Sequence, residues 1–121
     1  MGDKSRLRRS ISRWANTHDQ HARDMRAAYA PDARHDRISD APDRRPVRLR
    51  GTLRTVTLRP RGGVPALEAE LYDGTGSITV IWLGRRTIAG VTPGRSLEVQ
   101  GRIGLHDGQR ILYNPRYELL P

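Results

Sequence analysis

Hydrophobic and polar residues alternate along the second half of the chain, and a period of two is the period of a β-strand. The clearest example is 71–83, LYDGTGSITVIWL, which predicts two strands joined by a tight turn. Asp73 can accept hydrogen bonds from the backbone of the turn, while Gly74 and Gly76 can adopt positive φ. The sequence therefore specifies a hairpin, around which the rest of residues 47–121 can be arranged.

The first predicted strand, 47–58, contains a shift in its apolar phase. Apolar residues alternate from Val47 to Leu53 and then resume one position out of step at Val56. A bulge or sharp bend produces such a shift, and Gly51 has no side chain to obstruct the coiling. We therefore expect a bent strand that belongs to both sheets of a small barrel.

The remaining barrel segments complete a count of five strands. A fourth strand is predicted at 95–103, and a fifth at 110–121 follows a turn at 107–108. Residues 84–94 carry few apolar positions and end in a Pro-Gly turn, so a short helix of one or two turns is expected between strands three and four. The fold class is mainly β, with residues 47–121 as a five-stranded Greek-key barrel.

The first 46 residues follow a different pattern. Residues 1–30 have apolar residues at spacings of three and four, which predicts an amphipathic helical extension that needs a surface to dock on. That surface could be the barrel, a second copy of the chain or a partner protein. Residues 31–46 contain three prolines mixed with Asp and Arg, so they are predicted to be a flexible linker. The apolar stripe of the helix is Leu7, Ile11, Trp14, His18, Ala22, Met25 and Tyr29.

The helical extension is compatible with two further roles. His18, His21 and Asp24 recur one turn apart and could hold a metal ion, but a single such group is a weak pattern, and no metal site is predicted. A basic amphipathic helix can also lie on an anionic membrane, although Asp3 and Asp19 dilute its charge. An ordinary polar helix face is the preferred interpretation.

The charge of the chain favours a polyanionic partner. The formal net charge is +9, from 22 basic and 13 acidic residues, and every basic residue except Lys4 is arginine. The planar guanidinium group suits phosphate and stacks on bases. A genome rich in G and C would also enrich arginine over lysine, but codon bias alone need not produce an excess of arginine over carboxylates.

Composition also narrows the function classes. The chain has no cysteine, which excludes disulfides, a thiolate nucleophile and cysteine-ligated zinc. No apolar run is long enough to cross a bilayer and no signal peptide is recognisable, so a cytoplasmic location is expected. The sequence contains no Gly-rich phosphate loop and no nucleophile motif, so we expect no enzyme activity and no cofactor.

Three segments of the barrel half resemble a known family: LYDGTGSITVIWL, VTPGRSLEVQGRI and NPRYELL. They are similar to the OB-fold family that includes the wedge domain of the RecG helicase and the anticodon-binding domains of aminoacyl-tRNA synthetases, and the last segment looks most like the RecG type. The resemblance covers residues 47–121. It implies a nucleic-acid-binding barrel without catalysis. Since no helicase motif is present, the chain looks like a free-standing OB protein of the kind common in actinobacteria.

The outward positions and loops of such a barrel supply the candidate binding residues. Strand one alternates inward aliphatic residues with outward arginines, spaced to follow a phosphate backbone, and further basic residues fall in the loops. Tyr72 has the outward phase and is the predicted stacking residue, whereas Trp82, Tyr113 and Tyr117 are assigned to packing. The predicted nucleic-acid-binding residues are Arg48, Arg50, Arg54, Arg59, Arg61, Tyr72, Arg85, Arg86, His106 and Arg110.

The predicted mode of binding is mainly electrostatic, to single-stranded or structured DNA or RNA. Glu68 and Glu70 also point outward and would repel phosphate unless they pair with Arg48 or Arg50. The alternative is a protein-interaction adaptor. In that case residues 1–30 would dock on a protein partner or a second copy of the chain, and the barrel would present a surface such as Glu68, Thr79 and Ile81.

Overall fold

A computed structural model describes residues 16–121 as one helix followed by a β-barrel. Residues 16–28 are α-helical (α1), and Ile38–Asp40 form a single 3-10 turn. The predicted helix stripe at Leu7, Ile11 and Trp14 lies outside the described residues. Residues 16–121 contain six strands, which are β1 (Pro46–Leu58), β2 (Ala66–Tyr72), β3 (Ser77–Leu83), β4 (Ser96–His106), β5 (Gln109–Tyr113) and β6 (Arg116–Leu119).

The strands close into a ring in the order β1-β2-β3-β5-β4, with β4 pairing back onto β1. Among the strand pairings of the described residues, only β3–β5 is parallel. β1 serves both halves, because it pairs with β4 from Pro46 to Thr52 and with β2 from Thr52 to Leu58. The register slips between Leu53 and Thr55, which confirms the predicted bend. At Gly51 a Cβ would lie 2.6 Å from the carbonyl oxygen of Tyr72, so the crossing requires glycine.

The inward side chains form one main core, as the alternation predicted. Leu49, Leu71, Leu97, Ile103 and Leu112 have no exposed surface. They come from all parts of the ring, and burying each aliphatic side chain contributes roughly 1.5–3 kcal/mol. The mainly β fold class with a closed barrel is thus confirmed.

The β2–β3 hairpin has the predicted turn chemistry with one difference. The buried Asp73 carboxylate accepts hydrogen bonds from the Thr75 backbone N–H at 2.9 Å and the Thr75 hydroxyl at 2.6 Å. Its second oxygen accepts the Ile38 N–H at 2.9 Å. Gly74 has φ 89°, whereas Gly76 is not among the positive-φ residues. One aspartate therefore shapes the turn and anchors a distant segment.

The short helix predicted between the third and fourth strands is absent. Residues 84–95 instead form turns, one of them closed by the Val91 N–H and the Ile88 carbonyl at 3.0 Å. Gly90 has φ 81°, which interrupts a right-handed helix. Ile88 and Val91 are still buried and fill the place that the helix was expected to fill.

The last predicted strand is divided in two. Asn114 has φ 48° and Pro115 follows it, so the chain turns between β5 and β6. β6 then leaves β5 and pairs with β4, with Arg116 opposite Gln100 and Leu119 opposite Leu97. The barrel therefore has a sixth, outer strand that the periodicity did not separate.

Residues 31–46 differ from the prediction of a flexible linker, because this segment packs on the barrel. Ile38 is completely buried in the core and Ala41 is nearly so. The Asp36 N–H donates to the Arg48 carbonyl at 2.9 Å, and the Arg44 N–H donates to the Ile103 carbonyl at 2.8 Å. The composition of the segment hid this role, since Ile38 is its only large aliphatic residue and its other attachments include hydrogen bonds to distant parts of the barrel.

Helix α1 docks on the barrel, which is one of the three surfaces considered for it. The Tyr29 hydroxyl lies 2.8 Å from the Thr52 hydroxyl and 2.7 Å from the Ser96 hydroxyl. Arg26 donates to the Gly74 carbonyl at 3.1 Å. In the part of the chain that the structure describes, no helix has the length and apolar character needed to span a membrane.

Candidate nucleic-acid interface

A polar groove runs along the outer face of the barrel, between the β1–β2 loop (59–65) and the β4–β5 turn (107–108). Its volume is about 330 Å³. It is formed where the outward positions of β1, β2 and β3 meet the start of β5, because side chains on these strands alternate between the core and this face. The residues that line it are Thr55, Thr57, Arg59, Glu68, Ala69, Glu70, Thr79 and Gln109.

The charges in this groove largely cancel. The Glu68 carboxylate lies 3.7 Å from Arg61 and 3.9 Å from Arg59, and Glu70 forms an ion pair with Arg54. Neither glutamate pairs with Arg48 or Arg50, because β1 carries those two arginines along β4 rather than along β2. The pairing that offsets the repulsion of phosphate comes from other arginines instead. Three of the predicted binding arginines do reach the groove, but each is engaged by a carboxylate.

One end of the same outer face is apolar. Ala66, Ile81 and Ile111 form a small buried cluster there, and Leu83 and Tyr113 remain exposed, Tyr113 with 41% of its surface. Tyr113 lies opposite Ile81 in the parallel β3–β5 pairing. The burial of Ile81 removes it from the adaptor surface predicted above. Tyr113, assigned to packing from the sequence, is instead an open aromatic ring on the groove side of the barrel.

Tyr72, the predicted stacking residue, is already in contact with two other side chains. The Arg54 guanidinium group lies 4.0 Å from the centre of its ring. The His21 ring of α1 stacks near it, with 6.5 Å between centroids and 17° between planes. A nucleobase would have to displace one of them to stack on Tyr72. The same histidine therefore has a packing role, and no group of three potential metal ligands occurs among residues 16–121.

Arg48 and Arg50 lie on the opposite side of the barrel in a network of charges. Arg48 contacts Glu98 at 3.2 Å, and Glu98 also contacts the His35 ring at 3.1 Å. Arg50 donates to the Ala30 carbonyl at 2.8 Å. These contacts attach residues 30–35 to β1 and β4. Both arginines therefore have a structural role in packing that segment on the barrel.

Arg110 has a structural position as well. Its guanidinium group donates to the carbonyl oxygens of Ile38 and Ala41, each at 2.8 Å, and to the Asp43 carboxylate at 3.2 Å. Five guanidinium N–H groups in a fixed fork suit such a three-way attachment. Arg110 therefore clamps residues 38–43 over the end of the barrel.

The remaining predicted residues are Arg85, Arg86 and His106, and all three are exposed. Arg85 and Arg86 follow β3 in the loop to β4. His106 lies at the end of β4, 3.5 Å from the Asp107 carboxylate. The structure thus spreads the predicted set over several surfaces instead of gathering it in one groove.

A second group of arginines, missed in the sequence, lies on the outer face of β1, β4 and β6 and the segment beside them. We call it the rear arginine cluster: Arg34, Arg44, Arg45, Arg102 and Arg116. All five are exposed. The alternation along β4 and β6 contained the signal for Arg102 and Arg116, but the pairing of those two strands was not visible in the sequence.

Comparisons with known proteins identify the fold. No protein-family model and no curated protein sequence matches the chain. Solved structures do: an asparaginyl-tRNA synthetase from Entamoeba histolytica matches 74% of this chain at 16% identity with a TM-score of 0.60. The second OB-fold domain of replication protein A from Methanococcus maripaludis matches 71% at 15% identity with a TM-score of 0.59. RecG bound to a three-way DNA junction matches 77% at 20% identity with a TM-score of 0.60.

The barrel is an OB-fold. The match spans 24% of the synthetase and 13% of RecG, but 94% of the replication protein A domain. The chain therefore corresponds in fold to a single OB domain of the larger proteins. The strand order and the bent β1 agree with this fold, whereas the turns at 84–95 stand where many OB barrels carry a helix.

Proposed function

We propose that this protein is a non-enzymatic nucleic-acid-binding module of the cytoplasm that holds a single strand of DNA or RNA in the groove on β2 and β3. The observation that carries the proposal is the combination, on one open face of an OB barrel, of an exposed tyrosine, a polar groove and an arginine-bearing loop. In OB-folds this face and its two flanking loops are the usual place for an oligonucleotide.

The groove suggests how a strand would be held. A base would stack on Tyr113 beside Leu83, because these are the exposed apolar side chains of the face. Thr79 and Gln109 are joined by a hydrogen bond of 2.9 Å and offer hydroxyl and amide groups to base edges. Arg59 and Arg61 sit in the loop where the phosphate backbone would pass, and they would exchange Glu68 for phosphate.

This exchange changes the expected balance of forces. Glu68 is half-buried, but its contacts with the solvent-accessible guanidinium groups of Arg59 and Arg61 are 3.7 to 3.9 Å long and include no hydrogen bond. Phosphate, which can accept hydrogen bonds from both arginines, can therefore compete for them. The competition still reduces the net electrostatic gain, and stacking becomes correspondingly more important. We therefore propose groove binding that depends on salt less steeply than the net charge of +9 suggests.

Support also comes from the fold relatives. RecG, which shares the barrel fold, was solved bound to a three-way DNA junction, and another relative is an OB-fold domain of replication protein A. Their low identity to this chain supports the fold alone, so the residues that would bind are proposed here from the geometry of this barrel.

Fluorescence anisotropy with a labelled single strand tests the proposal. We expect binding at low salt that weakens as salt rises, and weaker binding by a Tyr113→Ala variant. Failure of the wild-type protein to bind any single strand at low salt would refute it. The labelled strand should also remain intact after prolonged incubation with the protein and divalent cations, and its cleavage would contradict a non-enzymatic role.

A further inference from the structure

The rear arginine cluster occupies a continuous part of the barrel surface away from the groove. Arg102 of β4 lies opposite Pro46 of β1, and Arg116 of β6 lies opposite Gln100 of β4. Arg34 lines a shallow depression with Pro46 and Gln100. Arg44 and Arg45 directly precede Pro46, and the Arg44 N–H bonds to the carbonyl of Ile103, next to Arg102.

The arginines of this cluster are not neutralised. Within residues 16–121, none of the five forms an ion pair. Five carboxylates lie near them. Glu98 is engaged by His35 and Arg48, Asp32 by His35 and Arg50, and Asp43 by Arg110. Asp36 and Glu118 remain as exposed carboxylates. Five arginines against two such carboxylates leave a clear positive excess on this face.

The shape and chemistry of the face select the kind of polyanion. Tyr117 of β6 is 40% exposed, but it lies on the face of β6 opposite to Arg116 and meets Trp82 in a T-shaped contact with 5.7 Å between ring centroids. Among the described residues, the cluster therefore contains no aromatic platform for an unstacked base. A ligand whose bases are already stacked loses nothing on such a surface, since only its phosphates need to be contacted.

We propose that the rear arginine cluster binds the phosphate backbone of a nucleic-acid duplex, so that the barrel holds a single strand on one face and a duplex arm on the other. This inference rests on the proposed function for the groove and adds a second contact surface to it. The preferred ligand then contains a junction between single-stranded and duplex segments. Contacts to phosphate alone make the rear surface insensitive to sequence.

The test compares two probes: a short single strand, and the same strand extended by a hairpin duplex. We expect wild-type protein to bind the extended probe more tightly and with a steeper salt dependence. An R102Q/R116Q variant should lower the slope of log K against log salt by about 2 for the extended probe, since each lost phosphate contact removes about 0.9. Its affinity for that probe at moderate salt should fall roughly tenfold or more, while binding of the short single strand stays within about twofold.

An R23Q/R95Q variant is the matched control, because it removes two exposed arginines on α1 and the loop before β4. It should leave both the preference for the extended probe and its slope unchanged. The inference would be overturned if both double variants lost the same affinity for the extended probe, or if R102Q/R116Q lost none. It would also be overturned if R102Q/R116Q lost the same affinity for both probes. If wild-type protein binds the single strand, and binds the extended probe no more tightly than the single strand, only this inference fails. If it binds neither, the proposed function fails as well.

Discussion

The two faces of this barrel use arginine in opposite ways. On the groove face, Arg54, Arg59 and Arg61 are paired with the carboxylates of Glu68 and Glu70. On the face formed by β1, β4 and β6, Arg48 and Arg50 also pair with carboxylates, but the five arginines of the rear cluster have no such partners within the described residues. The net charge of a basic OB barrel therefore does not tell which of its faces is the most positive. In this protein the unpaired arginines lie away from the usual ligand face.

The comparison shows why counting arginines is a poor guide to a binding site. An arginine that already holds a carboxylate must give up that contact before it can bind phosphate, whereas an unpaired one need not. Arg110 shows a third use, since its hydrogen bonds to backbone carbonyls make it part of the scaffold. Substitutions on the two faces should therefore differ in their effects on single-strand and duplex binding.

Removing the side chain of Ile38 should have the largest effect. Ile38 is completely buried and fixes the segment that carries Arg34, Arg44 and Arg45 to the barrel. An Ile38→Ala variant should lose about 2–5 kcal/mol of unfolding free energy, because it creates a cavity in the core. Urea denaturation measures this loss. Where the variant remains folded, it should also bind the duplex-containing probe less tightly while retaining single-strand binding. A change below about 1 kcal/mol would mean that the segment does not depend on this anchor.

Tyr113→Ala should have the next largest effect and should act on the groove alone. Base stacking on an aromatic side chain contributes about 1–3 kcal/mol, so single-strand affinity should fall roughly 5- to 150-fold in an anisotropy titration. Tyr72→Ala is the comparison variant and should have a smaller effect, because that ring is already contacted by Arg54 and His21. The opposite ranking would restore Tyr72 as the stacking residue.

Glu68→Gln should tighten single-strand binding modestly, because it releases Arg59 and Arg61 from their shared carboxylate. Both guanidinium groups are solvent-accessible and their contacts with Glu68 are long, so the expected gain is modest, roughly 1.5- to 5-fold at low salt. Asp107→Asn removes one carboxylate beyond the groove and is the control, which should change affinity less. Weaker binding by Glu68→Gln would show instead that the carboxylate itself contacts the ligand.

Replacing Asp32 should have the smallest effect. This residue lies in the segment 30–35 that is attached to the rear face, and its charge affects the stability of the protein at acid pH. The backbone N–H of Arg34 and then the side chain of His35 hold the pKa of the Asp32 carboxyl below its ordinary 3.8. A carboxyl whose pKa is lowered on folding stabilises the protein above pH 3.8, and this contribution is lost as the pH falls through the lowered value.

An Asp32→Asn variant should therefore melt slightly below wild type at neutral pH, and the difference should shrink below pH 3.8. Thermal melts across the acid range measure it. A difference in melting temperature that is the same at every pH would assign the role of Asp32 to its turn geometry rather than to its charge.

Much of the fold could be predicted from the sequence, because local chemistry fixes it. A period of two marks the strands, the shift after Leu53 marks the bend in β1, and Asp73 with Gly74 marks the hairpin. The prediction of a helix at 84–94 was wrong, because simple turns can bury Ile88 and Val91 as well as a helix can. The packing of residues 31–46 was missed because Ile38 gives no periodic signal by itself.

The sequence by itself determined which residues point into the barrel, since alternation follows from backbone geometry within each strand. Only the tertiary structure decided what the outward residues meet. Glu68 pairs with Arg59 and Arg61 across a loop, His21 reaches Tyr72 from another element, and Arg116 stands beside β4 through the order of strands in the ring. Side-chain charges interact through space with neighbours that the chain brings together only on closing the barrel, and that closure decided which arginines remain unpaired.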